Sequence, residues 1–140
     1  MVRMTPKHKQ IRANAALTTS YVLCSAFDGG VISTDGYVQM VIDVGYISGA
    51  GGGSNTVQVR VTRSINNANY HQLTTSSIAS GIDTRSPRVI TLNASAAGAS
   101  DYLSVSIPVS SGYYKVEIKE TVAGGAAGSA FVDLTLESKS

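Results

Sequence analysis

Two histidines, one cysteine and nine acidic side chains are the material for chemistry in this 140-residue chain. Acid–base or nucleophilic catalysis needs such groups held together, with ionisation matched to the task. His8 falls in an opening segment that reads as extended and unanchored. His71 follows Tyr70 in a polar stretch, and its nearest acid along the chain is Asp83. Cys24 follows the apolar run Tyr21-Val22-Leu23 and reads as a small buried hydrophobe, not a reactive thiol. A single cysteine excludes an intrachain disulfide framework. No spacing supports Ser-His-Asp, Cys-His or paired-carboxylate machinery, a calcium loop or a zinc site. The chain is therefore expected to be non-enzymatic, with no catalytic residue, cofactor or metal.

The remaining polar features have structural explanations. Asp28 and Asp35 precede glycines, where a short polar side chain bonds local backbone in a turn. Asp43 and Asp133 alternate with apolar positions and are expected to face outward or meet a neighbour. The stretch Ala50-Gly51-Gly52-Gly53-Ser54 lacks the lysine of a phosphate loop and precedes no helix, so it reads as a flexible hairpin tip. Tips cluster at the ends of a sandwich, where binding is commonly built. Gly51, Gly52 and Gly125 at two such tips, with Tyr70 and His71 in the polar loop, are the candidate loop contacts.

The elements that must position these residues are strands. Val38, Met40, Ile42, Val44 and Tyr46 alternate with Gln39, Val41, Asp43 and Gly45, so one face is apolar. The same alternation runs through Val57, Val59 and Val61, through Leu103, Val105, Ile107 and Val109, through Tyr114, Val116 and Ile118, and through Val132, Leu134 and Leu136. Leu17–Ala26, Val31–Ser33 and Arg88–Asn93 are further strand candidates, with a possible short one at Tyr70–Thr74 in a loop-rich middle. Asp35-Gly36 suits a type I′ hairpin turn. Two matching units, Tyr37–Ser64 and Tyr113–Ser138, read as hairpins with glycine-rich tips, from duplication or from convergence. No helical period competes. The fold class is all-β, an antiparallel β-sandwich of jelly-roll or immunoglobulin-like type, with about eight strands.

Length sets one domain. The expected boundaries are a basic extended arm over residues 1–16 and a sandwich over 17–140. Four of the eleven basic side chains, Arg3, Lys7, Lys9 and Arg12, fall in the first fourteen residues, leaving seven to face all nine acids in the body. Such a block reads as an interaction arm, and these four residues are the candidate partner contacts. Charged residues make up only 14% of the chain, well under the usual roughly 25%, which suits a surface packed against neighbours. No secretory leader or apolar span long enough for a bilayer is readable, so no membrane role is expected. Without interleaved stacking aromatics, no specific nucleic-acid binding is expected either.

The stretch Val57-x-Val59-x-Val61-x-x-Ser64-x-Asn66-Asn67-x-x-Tyr70-x-x-Leu73 resembles a pattern in small virion proteins of tailed phages. Tyr113-Tyr114-Lys115-Val116-Glu117-Ile118 and Gly128–Glu137 resemble their last two strands, so the likeness spans roughly residues 31–138. Tyr70 stands where that pattern often has tryptophan, and this chain has none. The resemblance implies a non-enzymatic virion structural protein of capsid decoration or cement type, assembled in the host cytoplasm. Its implied partners are the major capsid protein or other virion proteins, with a homo-oligomer, favoured as a trimer. A neck, tail or fibre-attachment role is the alternative within the virion. A glycan- or cell-surface-binding module, using Tyr70, His71 and Tyr102, is the alternative of another class.

Overall fold

The computed structural model describes residues 5–79 and 82–138, with side chains given outside 75–87. Its strands are β1 (Lys7–Ala16), β2 (Val22–Leu23), β3 (Ile32–Ser33), β4 (Gln39–Ile47), β5 (Thr56–Ser64), β6 (His71–Gln72), β7 (Thr74–Ala79), β8 (Ile82–Pro87), β9 (Val89–Asn93), β10 (Ser100–Pro108), β11 (Tyr113–Thr121) and β12 (Ser129–Glu137). Among the described residues the one helical turn is a 3-10 turn at Asp28–Gly30.

Strand pairing defines a rolled ribbon. β1 pairs with β12, β2 and β3 with β11, β4 with β10 and β5 with β9, all antiparallel. The first half of the chain thus lies along the second half, first strand against last. Rolling that ribbon adds two further pairings, β4 with β12 and β5 with β11. The result is a four-stranded sheet in the order β1-β12-β4-β10 facing a six-stranded one built on β2-β11-β5-β6, with β3 beside β11 and β9 beside β5. This is the jelly-roll solution to covering two sheets with one chain, and the immunoglobulin-like alternative drops out. The two sheets hold ten strands against about eight expected, because β2 and β3 divide one position of the ribbon and β6 adds a short pairing on β5. β7 and β8 form a separate two-stranded sheet inserted before β9.

Alternation sets the core. Met40, Ile42, Val44 and Tyr46 from β4 and Val132, Leu134 and Leu136 from β12 meet Val57, Val59, Val61, Tyr114, Val116 and Ile118 from the opposite sheet. Each buried valine, leucine or isoleucine contributes about 1.5–3 kcal/mol, and a one-residue slip would expose a whole strand's set. Val38 was expected in this row but is exposed, because it precedes the strand. Of the β10 row only Ile107 is fully buried, since β10 is the sheet's outer strand.

Four expectations are corrected. The two units read as hairpins are sheet-to-sheet crossings: β4 and β5 lie in opposite sheets, as do β11 and β12. Alternation and glycine are common to both connections, so local pattern does not separate them. Of the arm expected over residues 1–16, residues 7–16 are strand β1, paired from Lys7↔Leu136 to Ala16↔Ser129. The register slips at Ile11, which turns into the core and is 1% exposed. Asp35-Gly36 is not a type I′ turn: only Gly36 has positive φ (83°), and Tyr37 N–H donates to Thr34 O at 3.0 Å, as in type II. That turn carries the chain from β3 in one sheet to β4 in the other. Finally, the middle segment expected to be loop-rich contains the β7–β8 pair.

Candidate interaction surfaces

The glycine tips interlock. Ala126 N–H donates to Ala50 O at 2.9 Å. Asn55, wholly buried at the base of the first tip, accepts from Ala123 N–H (2.8 Å) and Gly124 N–H (3.1 Å) in the second. Gly125 has φ +66°, and a Cβ there would stand 2.1 Å from Ala50 O, so no larger residue fits. Gly51 is exposed but lies beside Gly125, and Gly52 is buried against the Asn55 amide. The three candidate tip residues are brought together, against one another rather than around a space for a ligand.

The basic residues of the opening segment divide. Arg3 lies outside the described residues. Arg12 donates to the carbonyls of Ala130 (3.2 Å), Ala15 (3.2 Å) and Ala16 (2.9 Å), closing the end of β1 on β12. Lys7 and Lys9 hold their ammonium groups 5.0 and 4.9 Å from the Phe27 ring centroid. They rim an apolar cleft of about 230 Å³ floored by Phe27, Val31, Ile32, Leu134 and Leu136, where the edges of the two sheets part. His8, expected to be unanchored, accepts or donates through Nδ1 to Thr135 Oγ1 at 2.8 Å.

Tyr70 and His71 follow a tight Asx loop. Asn66 Oδ1 accepts from Ala68 N–H (3.0 Å) and Asn69 N–H (3.2 Å), and Asn67 takes φ +57°. The Tyr70 hydroxyl bonds Asn67 Oδ1, and Lys115 lies 4.2 Å from its ring centroid. His71 is exposed and pairs by backbone with Arg63; the Asp83 side chain lies outside those described. Among the described residues no group of three His, Cys, Asp or Glu side chains is close enough to hold a metal. Cys24 is buried, and that burial pushes its thiol up to about 12, against the opposing pull of Arg12.

The outward faces of the two sheets differ in chemistry. On the four-stranded sheet, Asp43 and Asp133 stand directly opposite each other, with Ser104 across from Asp43 on the other side. One rung along, Gly45 lies between Tyr102 and Phe131, whose ring centroids are 6.4 Å apart. A Cβ on Gly45 would fall 2.0 Å from the Phe131 ring, so the glycine is what lets the ring lie flat over β4. Tyr102 is 71% exposed. On the six-stranded sheet, Arg60 bridges Glu117 at 2.9 Å and stacks 3.9 Å from the Tyr21 centroid, with Lys119 at 4.7 Å from the same ring. Burial raises the Tyr21 hydroxyl, with Arg60 pulling the other way. Tyr70 and Tyr102 therefore belong to different faces, and no one surface gathers the three residues of the glycan-binding alternative. The paired aspartates and the aromatic pair were missed as sites; strand alternation put them outward, but only cross-strand register puts them side by side.

No family model matches this chain, and no curated protein matches it. Solved structures do. A chain in the structure of infectious bursal disease virus strain Gx aligns at TM-score 0.54 and 13% identity, over 97% of this chain and 33% of that one. The VP2 subviral particle of the same virus aligns at TM-score 0.40 and 9% identity, covering 95% of this chain and 32% of the other. This chain spans about a third of the length of the viral chains it matches. At 13% identity and TM-score 0.54, the likeness to the first of these is one of fold.

Proposed function

We propose that this chain is a non-enzymatic structural protein of a virion, acting as a decoration or cement protein on a tailed-phage capsid. The observation that carries the reading is the jelly-roll fold, which aligns at TM-score 0.54 with a chain of a virus structure. It is supported by the low charge content, by the interlocked tips and by the resemblance of the Val57–Leu73, Tyr113–Ile118 and Gly128–Glu137 stretches to phage virion proteins. A rigid sandwich that binds only the assembled shell stabilises it by mass action. In this reading Arg3 contacts the major capsid protein together with Lys7 and Lys9 of β1, and Arg12 fixes the strand that carries the two lysines. Trimeric association suits threefold positions of a shell.

Quantitative mass spectrometry of density-banded particles tests this. Copies comparable with the major shell subunit are expected. A handful per genome moves the protein to the neck or tail, and absence overturns the virion reading. Deleting residues 1–14 is a poor probe of the arm because it removes buried Ile11. The double substitution Lys7→Glu/Lys9→Glu leaves the core intact and should lower particle occupancy.

A further inference from the structure

The two broad faces of the sandwich carry opposite charge at matching spacing. On the four-stranded sheet Asp43, Asp133 and Glu137 point outward, and among the described residues no ion pair or hydrogen bond reaches their carboxylates. Like charges directly opposite on neighbouring strands destabilise a sheet, so the Asp43–Asp133 pair favours a cation laid against it. On the six-stranded sheet Lys115 and Lys119 point outward on either side of Glu117, which Arg60 already neutralises.

Asp133 and Glu137 are four residues apart on β12, and Lys115 and Lys119 are four apart on β11. At a strand rise of ~3.4 Å, each pair spans about 13–14 Å. Laid face to face with these strands aligned, both ion pairs form together, and the rung between them sets Thr135 against the neutralised Glu117. Tyr102, Phe131 and Ile47 supply apolar contact on one face, and Tyr21 and Val89 on the other.

We propose that the acidic outer face of one copy stacks on the basic outer face of the next. This rests on the reading of the chain as an assembled virion component and names a contact between copies distinct from one that would close a trimer. The two surfaces are different patches on opposite sides of one molecule, so the interface is head-to-tail and builds rows or rings, not an isologous dimer. Four strands ~4.8 Å apart and about 30 Å long offer roughly 600 Å², under the ~800 Å² per partner of a standard stable interface. The contact is accordingly weak in solution, salt-sensitive and reinforced when copies are arrayed.

Sedimentation velocity on the purified chain tests it without reference to any particle. In about 20 mM salt the average mass should rise with concentration, and at about 0.5 M, where screening acts within a few ångströms, it should fall to the monomer value. Asp43→Lys/Asp133→Lys and Lys115→Glu/Lys119→Glu should each weaken association at least about tenfold alone. Their equimolar mixture should recover it, because each basic face then meets an acidic one. A wild-type chain that stays monomeric, variants that associate as wild type, or a mixture that does not recover overturns the proposal. If a charge reversal fails to fold, Asp133→Asn/Glu137→Gln makes the same comparison, with unchanged association overturning it. Particle mass spectrometry fails or succeeds independently of these outcomes.

Discussion

Tyr46 and Glu120 come from opposite sheets and meet inside the core, where the phenol hydroxyl donates a hydrogen bond to the carboxylate. Both are 1% exposed. Glu120 also accepts from Gly128 N–H, at 2.9 Å to Oε1 and 3.1 Å to Oε2, so one buried side chain ties both sheets to the second tip. Burial, and then the bond to Glu120, hold the Tyr46 hydroxyl well above its ordinary value. Removing the hydroxyl from a buried charged acceptor costs about 1.5–3 kcal/mol. Tyr46→Phe should lose that much in urea unfolding, and clearly less in a Glu120→Gln background. Equal losses in both backgrounds would mean that the pair does not act as a unit.

Asn55 joins the two tips. Asn55→Ala removes the acceptor of the Ala123 and Gly124 amides, two part-buried bonds whose loss costs about 0.5–1.5 kcal/mol each. The expected outcome is a lower melting temperature with faster hydrogen exchange at those two amides. Exchange that stays slow would show that other contacts hold the tips.

Gly45 and Phe131 form a cross-strand fit. Gly45→Ala should destabilise by about 1–3 kcal/mol, because the new methyl occupies the place of the ring. Phe131→Ala in that background should recover part of the loss. Thermal melts of the two single variants and the double variant measure it, and simple additivity would rule out the steric account.

Cys24 gives a signed pH dependence. Its ordinary value is 9.0 and burial raises it to about 12 in the folded chain. Below pH 9 both states hold the proton, and the contribution is fully present. Between pH 9 and about 12 the unfolded chain releases the proton while the folded one keeps it, so stability falls as pH rises. Tyr46 acts in the same direction above its ordinary 10.0. Cys24→Ala should flatten this alkaline slope by up to about 1.4 kcal/mol per pH unit. At pH 8 a thiol reagent should label the native chain only at the rate of its unfolding.

Strand identity was legible because alternation is a local signal. The rows from Met40 to Tyr46, Val57 to Val61 and Val132 to Leu136 point inward as their spacing requires. Pairing was not legible, because it depends on partners such as Ile42 and Leu134, far apart in sequence. The hairpin expectation failed for that reason: a glycine tip permits either a turn within one sheet or a crossing to the other. Lys7, Lys9 and Arg12 read as free charge, since nothing in their neighbourhood announces Phe27 or the Ala130 carbonyl as partners. Glu120 was also hidden; a glutamate in phase with Val116 and Ile118 signals a buried acid only once its acceptor role is seen.

The rolled ribbon also sets an order of events during synthesis. β4 and β5 emerge from the ribosome well before two of their neighbours, β11 and β12. Contacts that close such long loops form slowly. Until they do, Met40, Ile42, Val57 and Val59 lack half of their cover. A nascent chain stopped short of Tyr113 therefore presents sticky, unpaired strands. Its safety in the cell depends on how soon β11 and β12 follow.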